Sequence, residues 1–569
     1  MHIRTLFVAT WLGTTLIGTS ACTGSLDAGV GRRQRGTEPG VDPQTGVTLA
    51  EDEAPATSFP RLTHAQWETS ARAALLLDTP TGLAFDPEAS TARFDTYVGS
   101  REVTPTLASR YRDHADVLAL RVTGDAALRV RLFEGVAGET TEQRLRGGIQ
   151  RFLVRAFRRP LTTEELDRYV ALAGMAPELD GDEARLREGM RIVISTALQS
   201  PHFLYRVERG DPATRVRSGS VTRTTLTDWE LASRWSYTLL NEPPDAALIA
   251  EVERGALQTA AGRTAVVDRL LTDERATATL LRFHRALYGV DGFRNIVKSQ
   301  ERFPDTLWLA SDAEQESTRF LSYVIESEGG VRALLTDRSG FVNPRLSRLY
   351  GMAADGTDES VFRQVEMPVS RGGILTRVGF NASRSDQVER NIIQRGIFIL
   401  RNVLCEDPGP PASGNFAAAA GRVPPENATH RETIAFKTQW GACASCHEER
   451  INPLGFAFEG FDAIGREITM EGARPVDTRA VAFFAGERRS VEDASDLMTL
   501  IAERPSAHAC YARSALEFLL GGIPQGEEMN LANRVGQRSI ESDLSVNEIF
   551  RDILVSETYR TLRTPGGAS

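Results

Sequence analysis

Apolar positions along the chain recur mostly at three- and four-residue intervals, the period of helices that bury one face. Leu145, Ile149, Phe152, Leu153, Ala156 and Phe157 show it within about 143–206. Pro160 ends that run, because proline removes a donor and restricts its predecessor. A helix capped by Thr162 follows, then an apolar run from Met190 to Leu198. The same period predicts helices over 228–240, 261–272, 274–288 and 305–326, and helical runs at Ile397 to Leu404, 491–503, 507–520 and 545–560. Three helix starts carry a capping box with a hydrophobic staple. They are Leu62-Thr63 with Gln66 and Trp67, Leu161-Thr162 with Glu165 and Leu166, and Leu226-Thr227 with Glu230 and Leu231. No long alternating strand is seen, so the fold class is mostly α. Breaks in the pattern divide the chain into 59–140, 141–210, 223–365, 366–475 and 476–569. The polar run Gly210 to Thr222 reads as a linker. Pro408, Pro410, Pro411 and Ser413-Gly414, with the Ala/Gly stretch after them, read as a long irregular connector.

Composition changes this picture little. The 569 residues hold roughly three to five domains. A hydrophobic content of 41% supports real cores, and Trp229, Trp235, Phe283, Tyr288, Trp308, Phe320 and Tyr323 supply large side chains. A formal charge of -10 argues against a nucleic-acid partner. Lys298 and Lys437 are the only lysines. The arginine excess therefore reads as a usage bias, and Arg155, Arg158 and Arg159 as a solvated helix face rather than a phosphate site. His202 reads as a core or capping histidine. Asp312, Glu314 and Glu316 read as carboxylates that complement a helix start. There is no serine nucleophile motif, Gly-rich phosphate loop or H-E-x-x-H, so no catalytic residues are assigned.

The N-terminus reads as a targeting segment. His2 and Arg4 precede the apolar run Leu6 to Ile17, too short to span a membrane, and Thr19-Ser20-Ala21-Cys22 follows. This resembles a bacterial lipoprotein signal over 1–22, with Cys22 lipidated and the membrane reached through that anchor. Thr19 stands where such signals usually have leucine, so ordinary secretory cleavage stays open. Residues 23–58 are rich in Gly, Thr, Pro, Asp and Glu and read as a disordered spacer.

The candidate chemistry is in Cys443-Ala444-Ser445-Cys446-His447, the C-x-x-C-H spacing of c-type haem attachment. Two thiols three residues apart can form thioethers to the haem vinyls, and the next imidazole can bind the iron. Competing readings are a redox disulfide, a zinc site completed by His430, or incidental thiols. The exported context favours haem. Met470, Met498 and His508 lie downstream at distances that suit a second iron ligand.

The block Cys443 to Arg466 resembles the segment C-x-x-C-H-x-x-[I/M]-[D/N]-P-x-G-F-x-x-E-x-[F/Y]-D-x-x-G of a large family of exported bacterial proteins. That family, best known from planctomycetes and myxobacteria, strings together domains of unknown function and ends in a cytochrome-c-like segment. Further blocks carry the resemblance: Arg61-Leu62-Thr63, Arg155 to Thr162, Phe341-Val342-Asn343 with Leu349-Tyr350-Gly351, Arg371-Gly373-Leu375-Thr376 and Arg395-Gly396. Asn452 stands where Asp is common. The resemblance implies a cytochrome-like role without a defined reaction.

Five cysteines are present. With Cys22 lipidated and Cys443 and Cys446 on haem, Cys405 and Cys510 remain, an even remainder expected to form a disulfide in an oxidising compartment. The expected protein is an exported, tethered c-type haem protein that passes electrons to a redox partner, in the periplasm or at the cell surface. The alternative is a surface binding or scaffold protein.

Overall fold

The computed structural model describes residues 59–88, 92–97, 102–176, 181–218, 221–409, 422–484 and 486–565, plus two short strands at Gly40–Val41 and Thr48–Leu49. The targeting segment with Cys22, most of the spacer, and residues 410–421 of the connector lie outside the described residues. Helices dominate the rest. All three expected capping boxes are formed: the hydroxyls of Thr63, Thr162 and Thr227 accept from the backbone N–H of Gln66, Glu165 and Glu230, whose side chains reach back. Among the described residues no helix is long and apolar enough to cross a membrane.

The buried side chains fall into two clusters. The first joins the segments 59–140 and 141–210. Its centre is Trp67, fully buried on the helix His64–Leu75 and ringed by Phe85, Tyr111, His114 and Phe203. The helices Pro105–Gly124, Thr141–Phe157 and Asp182–Leu198 close around it. The arginines expected on a solvated face are structural instead. Arg158, with φ of 58°, ends the helix Thr141–Phe157 and turns its buried guanidinium onto the carbonyls of His202, Phe203 and Tyr205. Arg159 forms a two-bond pair with Glu165 at 2.7 and 2.8 Å. Arg155 donates to the Ala74 carbonyl. Short loops bring these acceptors within reach, which spacing along one helix does not reveal.

The second cluster takes in Phe94 from the first segment and then runs from Leu226 to Tyr559, joining 223–365, 366–475 and 476–569 around one core. The expected linker is partly a sheet: Val216–Ser218 and Val221–Thr225 pair, and the latter also pairs antiparallel with Thr561–Pro565. The chain's last strand thus closes against the start of its largest core. Asp312 and Glu316, on the helix Leu309–Glu326, do more than complement a helix start. Asp312 is buried against Arg345 and Asn343, and Glu316 is buried against Tyr350 and Arg377. Burial pushes Glu316 above the ordinary carboxylate range despite those partners.

Deep in this core His284 donates from Nδ1 to the Leu280 carbonyl at 2.7 Å and accepts from the Tyr511 hydroxyl through Nε2 at 2.7 Å. Burial pushes its pKa from 6.5 down to about 4. The unfolded chain therefore takes up this proton well before the folded one. The related stability is complete above pH 6.5 and is lost as pH falls toward 4, by about 3 kcal/mol. Denaturant titrations at pH 7 and pH 4 should show His284→Gln losing about 3 kcal/mol less than the unsubstituted chain. Equal losses would contradict the assignment.

Candidate haem-attachment site

One interrupted helix carries the motif. Ala442–Cys446 is α-helical, His447–Ile451 forms a wide π turn, and Asn452–Phe456 continues as α-helix. Cys443 and Cys446 stand three residues apart and His447 four after Cys443, so all three share one helix face. Both thiols are free and half-buried, so the redox-disulfide reading has no bond to rest on here. The Cys446 sulfur lies 3.6 Å from the Pro408 carbonyl oxygen. His430, the fourth ligand of the zinc reading, donates from Nδ1 to Glu459 at 2.9 Å. Among the described residues no three His, Cys, Asp or Glu side chains gather as a metal-binding group.

His447 is held from one side. Its Nδ1 lies 2.9 Å from Oδ1 of Asn452, whose Nδ2 donates to Oγ1 of Thr438 at 2.8 Å. The Thr438 hydroxyl donates to the Ile434 carbonyl at 2.7 Å, inside the helix His430–Thr438. Burial lowers the His447 pKa below the usual histidine value, against the opposing effect of the Asn452 bond. The ring is therefore neutral at pH 7. Nε2 has no protein hydrogen-bond partner among the described residues. Two free thiols and one neutral, anchored imidazole on a single face fit the donor set of a c-type haem.

The π turn explains the His447–Asn452 contact. In an α-helix, residues five apart point about 140° away from each other. A turn with i→i+5 hydrogen bonds brings them together, and such turns are frequent at functional sites. The chain also has three residues, Glu448, Glu449 and Arg450, between His447 and Ile451, where the family pattern has two.

The family blocks that hold Tyr350, Arg371 and Arg395-Gly396 join this segment to the helical body. The helix Ile392–Phe398 crosses the motif helix at two glycines. A Cβ at Gly396 would strike the Ile451 carbonyl oxygen, and one at Gly455 would strike that of Ile392. Beside the crossing, Arg395 is fully buried and donates to the carbonyls of Phe458, Phe461, Asp462 and Asn381 and to the Ser385 hydroxyl. Arg371 donates to the carbonyls of Thr376 and Gly465 and stacks on Tyr350 and Phe461. Tyr350 donates to Glu316 and accepts from the Val378 N–H. Burial alone raises Glu459, but His430 and Arg390 outweigh it and hold this carboxyl below its ordinary range.

The other predicted residues are placed as follows. Cys405, just after the π turn Ile399–Val403, is disulfide-bonded to Cys510 on the helix Pro505–Leu520, with Cα atoms 5.3 Å apart. Of the three candidates for a second iron ligand, Met498 is buried in the helical core. His508 is buried with both ring nitrogens engaged, by the Ser539 hydroxyl and the Ala502 carbonyl. Met470 alone is exposed, on the strand Met470–Glu471. Sequence reasoning missed Thr438 and the role of Asn452. The helix bearing Thr438 had a usable signal in the capping box of Thr429 and Glu432.

Fold and motif together define a mostly helical, multidomain protein with a cytochrome-c-like segment. Three family models match it in chain order, each described as a protein of unknown function: DUF1595 over 144–208, DUF1592 over 226–352 and DUF1588 over 371–471. The chain belongs to the planctomycete-type family of proteins assembled from these domains, in which DUF1588 is the cytochrome-c-like member. The DUF1588 span contains the motif helix, the glycine crossing, Arg371 and Arg395. No curated protein and no solved structure matches the chain.

Proposed function

We propose that this chain is an exported c-type haem protein that passes single electrons. Cys443 and Cys446 would hold the haem through thioethers, and His447 would face the iron with Nε2. The observation that supports this most is the His447 arrangement: Nδ1 is tied to Asn452, while Nε2 has no hydrogen-bond partner among the described residues and lies on the face that carries two free thiols. Bound haem supplies a one-electron couple whose potential follows its axial ligands and surroundings. The chain's own part is to orient the imidazole and to anchor the motif helix rigidly through Arg395, Arg371 and the glycine crossing. Electron transfer is favoured over catalysis because a single bound haem carries one electron but brings no substrate pocket of its own.

The test is to co-express the mature chain with a cytochrome c maturation system and titrate it with reductant. A haem spectrum that changes reversibly on reduction is expected. A redox-silent protein would favour the binding or scaffold reading. The proposal includes a lipid anchor at Cys22, which places the protein at a membrane surface, in reach of a redox partner. Cys22→Ser should then move it from the membrane to the soluble fraction. Stable anchoring needs the several chains of a lipoprotein cysteine, because one chain binds only marginally. An unsubstituted protein found wholly soluble would contradict the anchor.

A further inference from the structure

We infer that Asn452 is a positioning residue that selects the tautomer of His447, and that Thr438 selects the orientation of Asn452. The inference deepens the proposed haem role, but its geometry stands independently of it. A neutral imidazole carries its proton on either nitrogen, and the partner of one nitrogen decides the state of the other. Here the partner of Nδ1 is a side-chain amide, which can present either a donor or an acceptor. If Nδ2 faced the ring, His447 would be driven to accept at Nδ1 and to carry its proton on Nε2. That form has no lone pair left for a metal.

The structure contains the device that prevents this. Asn452 is buried, and Thr438 offers its other amide end only an acceptor. The Thr438 hydroxyl proton is already committed to the Ile434 carbonyl at 2.7 Å. A carbonyl cannot donate, so Thr438 must donate to it, and Thr438 then accepts from Asn452 through Nδ2. Oδ1 of Asn452 is left for His447, which must donate from Nδ1. The direction of every bond in the chain His447, Asn452, Thr438, Ile434 thus follows from one backbone carbonyl. The π turn His447–Ile451 supplies the register, because it sets residues 447 and 452 side by side.

The experiment uses ring-nitrogen NMR of the ¹⁵N-labelled mature chain without haem at neutral pH, with His447→Gln for assignment. In the unsubstituted chain the Nδ1–H form should exceed the Nε2–H form by about tenfold, the worth of one buried hydrogen bond. Asn452→Asp should keep that form. Asn452→Leu should shift the ring to the Nε2–H form. Thr438→Val, which leaves the His447 contact in place but frees the amide to turn, should give a mixture. A tautomer that is Nε2–H in the unsubstituted chain, or one indifferent to both Asn452→Leu and Thr438→Val, would overturn the inference. In the haem-loaded protein Asn452→Asp should lower the reduction potential, because a carboxylate partner makes the ligand more basic. An unchanged potential would count against it. If no haem attaches while the NMR result holds, the proposed function fails and the positioning role stands.

Discussion

Replacing Arg395 by methionine should lower the stability of the protein by several kcal/mol, because each buried acceptor left unpaired costs about 1–3 kcal/mol. The guanidinium is fully buried and binds four backbone carbonyls and one hydroxyl. Three of those carbonyls, on Phe458, Phe461 and Asp462, belong to the chain that follows the motif helix. That stretch is mostly irregular, so its carbonyls have few helical partners, and Arg395 gathers them at one point. Methionine fills much of the volume but leaves these acceptors desolvated and unpaired. Burial pulls the pKa of Arg395 down to about 9, which still leaves it charged at neutral pH. Arg395→Lys keeps the charge but loses the planar fork that reaches several carbonyls at once, so it should recover only part of the loss. Chemical denaturation followed by fluorescence measures both. A methionine variant within about 0.5 kcal/mol of the unsubstituted protein would show that the network is dispensable.

Loss of the Cys405–Cys510 bond should have an effect of similar size. The bond closes a loop with a sequence separation of 105. In the chain-entropy model such a loop is worth about 4–5 kcal/mol. That loop contains the motif helix and three of the Arg395 acceptors, Phe458, Phe461 and Asp462, so the bond restrains the segment that carries the candidate site. The Cα separation of 5.3 Å lies within the usual disulfide range. The double variant Cys405→Ala, Cys510→Ala should unfold at a clearly lower denaturant concentration. Alkylation of the unreduced, denatured chain should leave Cys405 and Cys510 unlabelled. Labelling at both would remove the bond from the account.

Much of the helical framework was legible because its signals are local. The capping boxes of Thr63, Thr162 and Thr227 each need four consecutive residues, and each formed as expected. The helix Glu274–Tyr288 matches its expected span because its apolar stripe is large and regular. Helices built on small residues were less visible. Pro105–Gly124 buries Ala115 and Ala119 along with Leu118, and Glu527–Ser542 packs Gly536 directly onto Ala509. Pro105–Gly124 offers no strong stripe, and the buried face of Glu527–Ser542 mixes Met529, Leu531 and Val535 with small residues. Non-local pairing was not legible at all. The strand Val221–Thr225 finds its partner at Thr561–Pro565, more than 330 residues away, and reads locally as a polar linker. The same holds for Arg158 and Glu316, whose partners come from other elements. At the candidate site the thiols and imidazole were plain from spacing, because a helix turns any i, i+3, i+4 set onto one face. The Asn452–Thr438 relay was hidden, since it depends on a π turn that breaks that regular geometry.

The central claim is that Cys443 and Cys446 hold a haem covalently. The most direct measurement matures the chain in cells that carry a cytochrome c assembly system, then denatures it and extracts it with acid. Thioethers survive this treatment and ligand bonds do not. The account predicts that one haem per chain remains with the unsubstituted protein, and that Cys443→Ala with Cys446→Ala retains none. Stoichiometric zinc with no haem in the matured protein, or haem retained by the double variant, would contradict it.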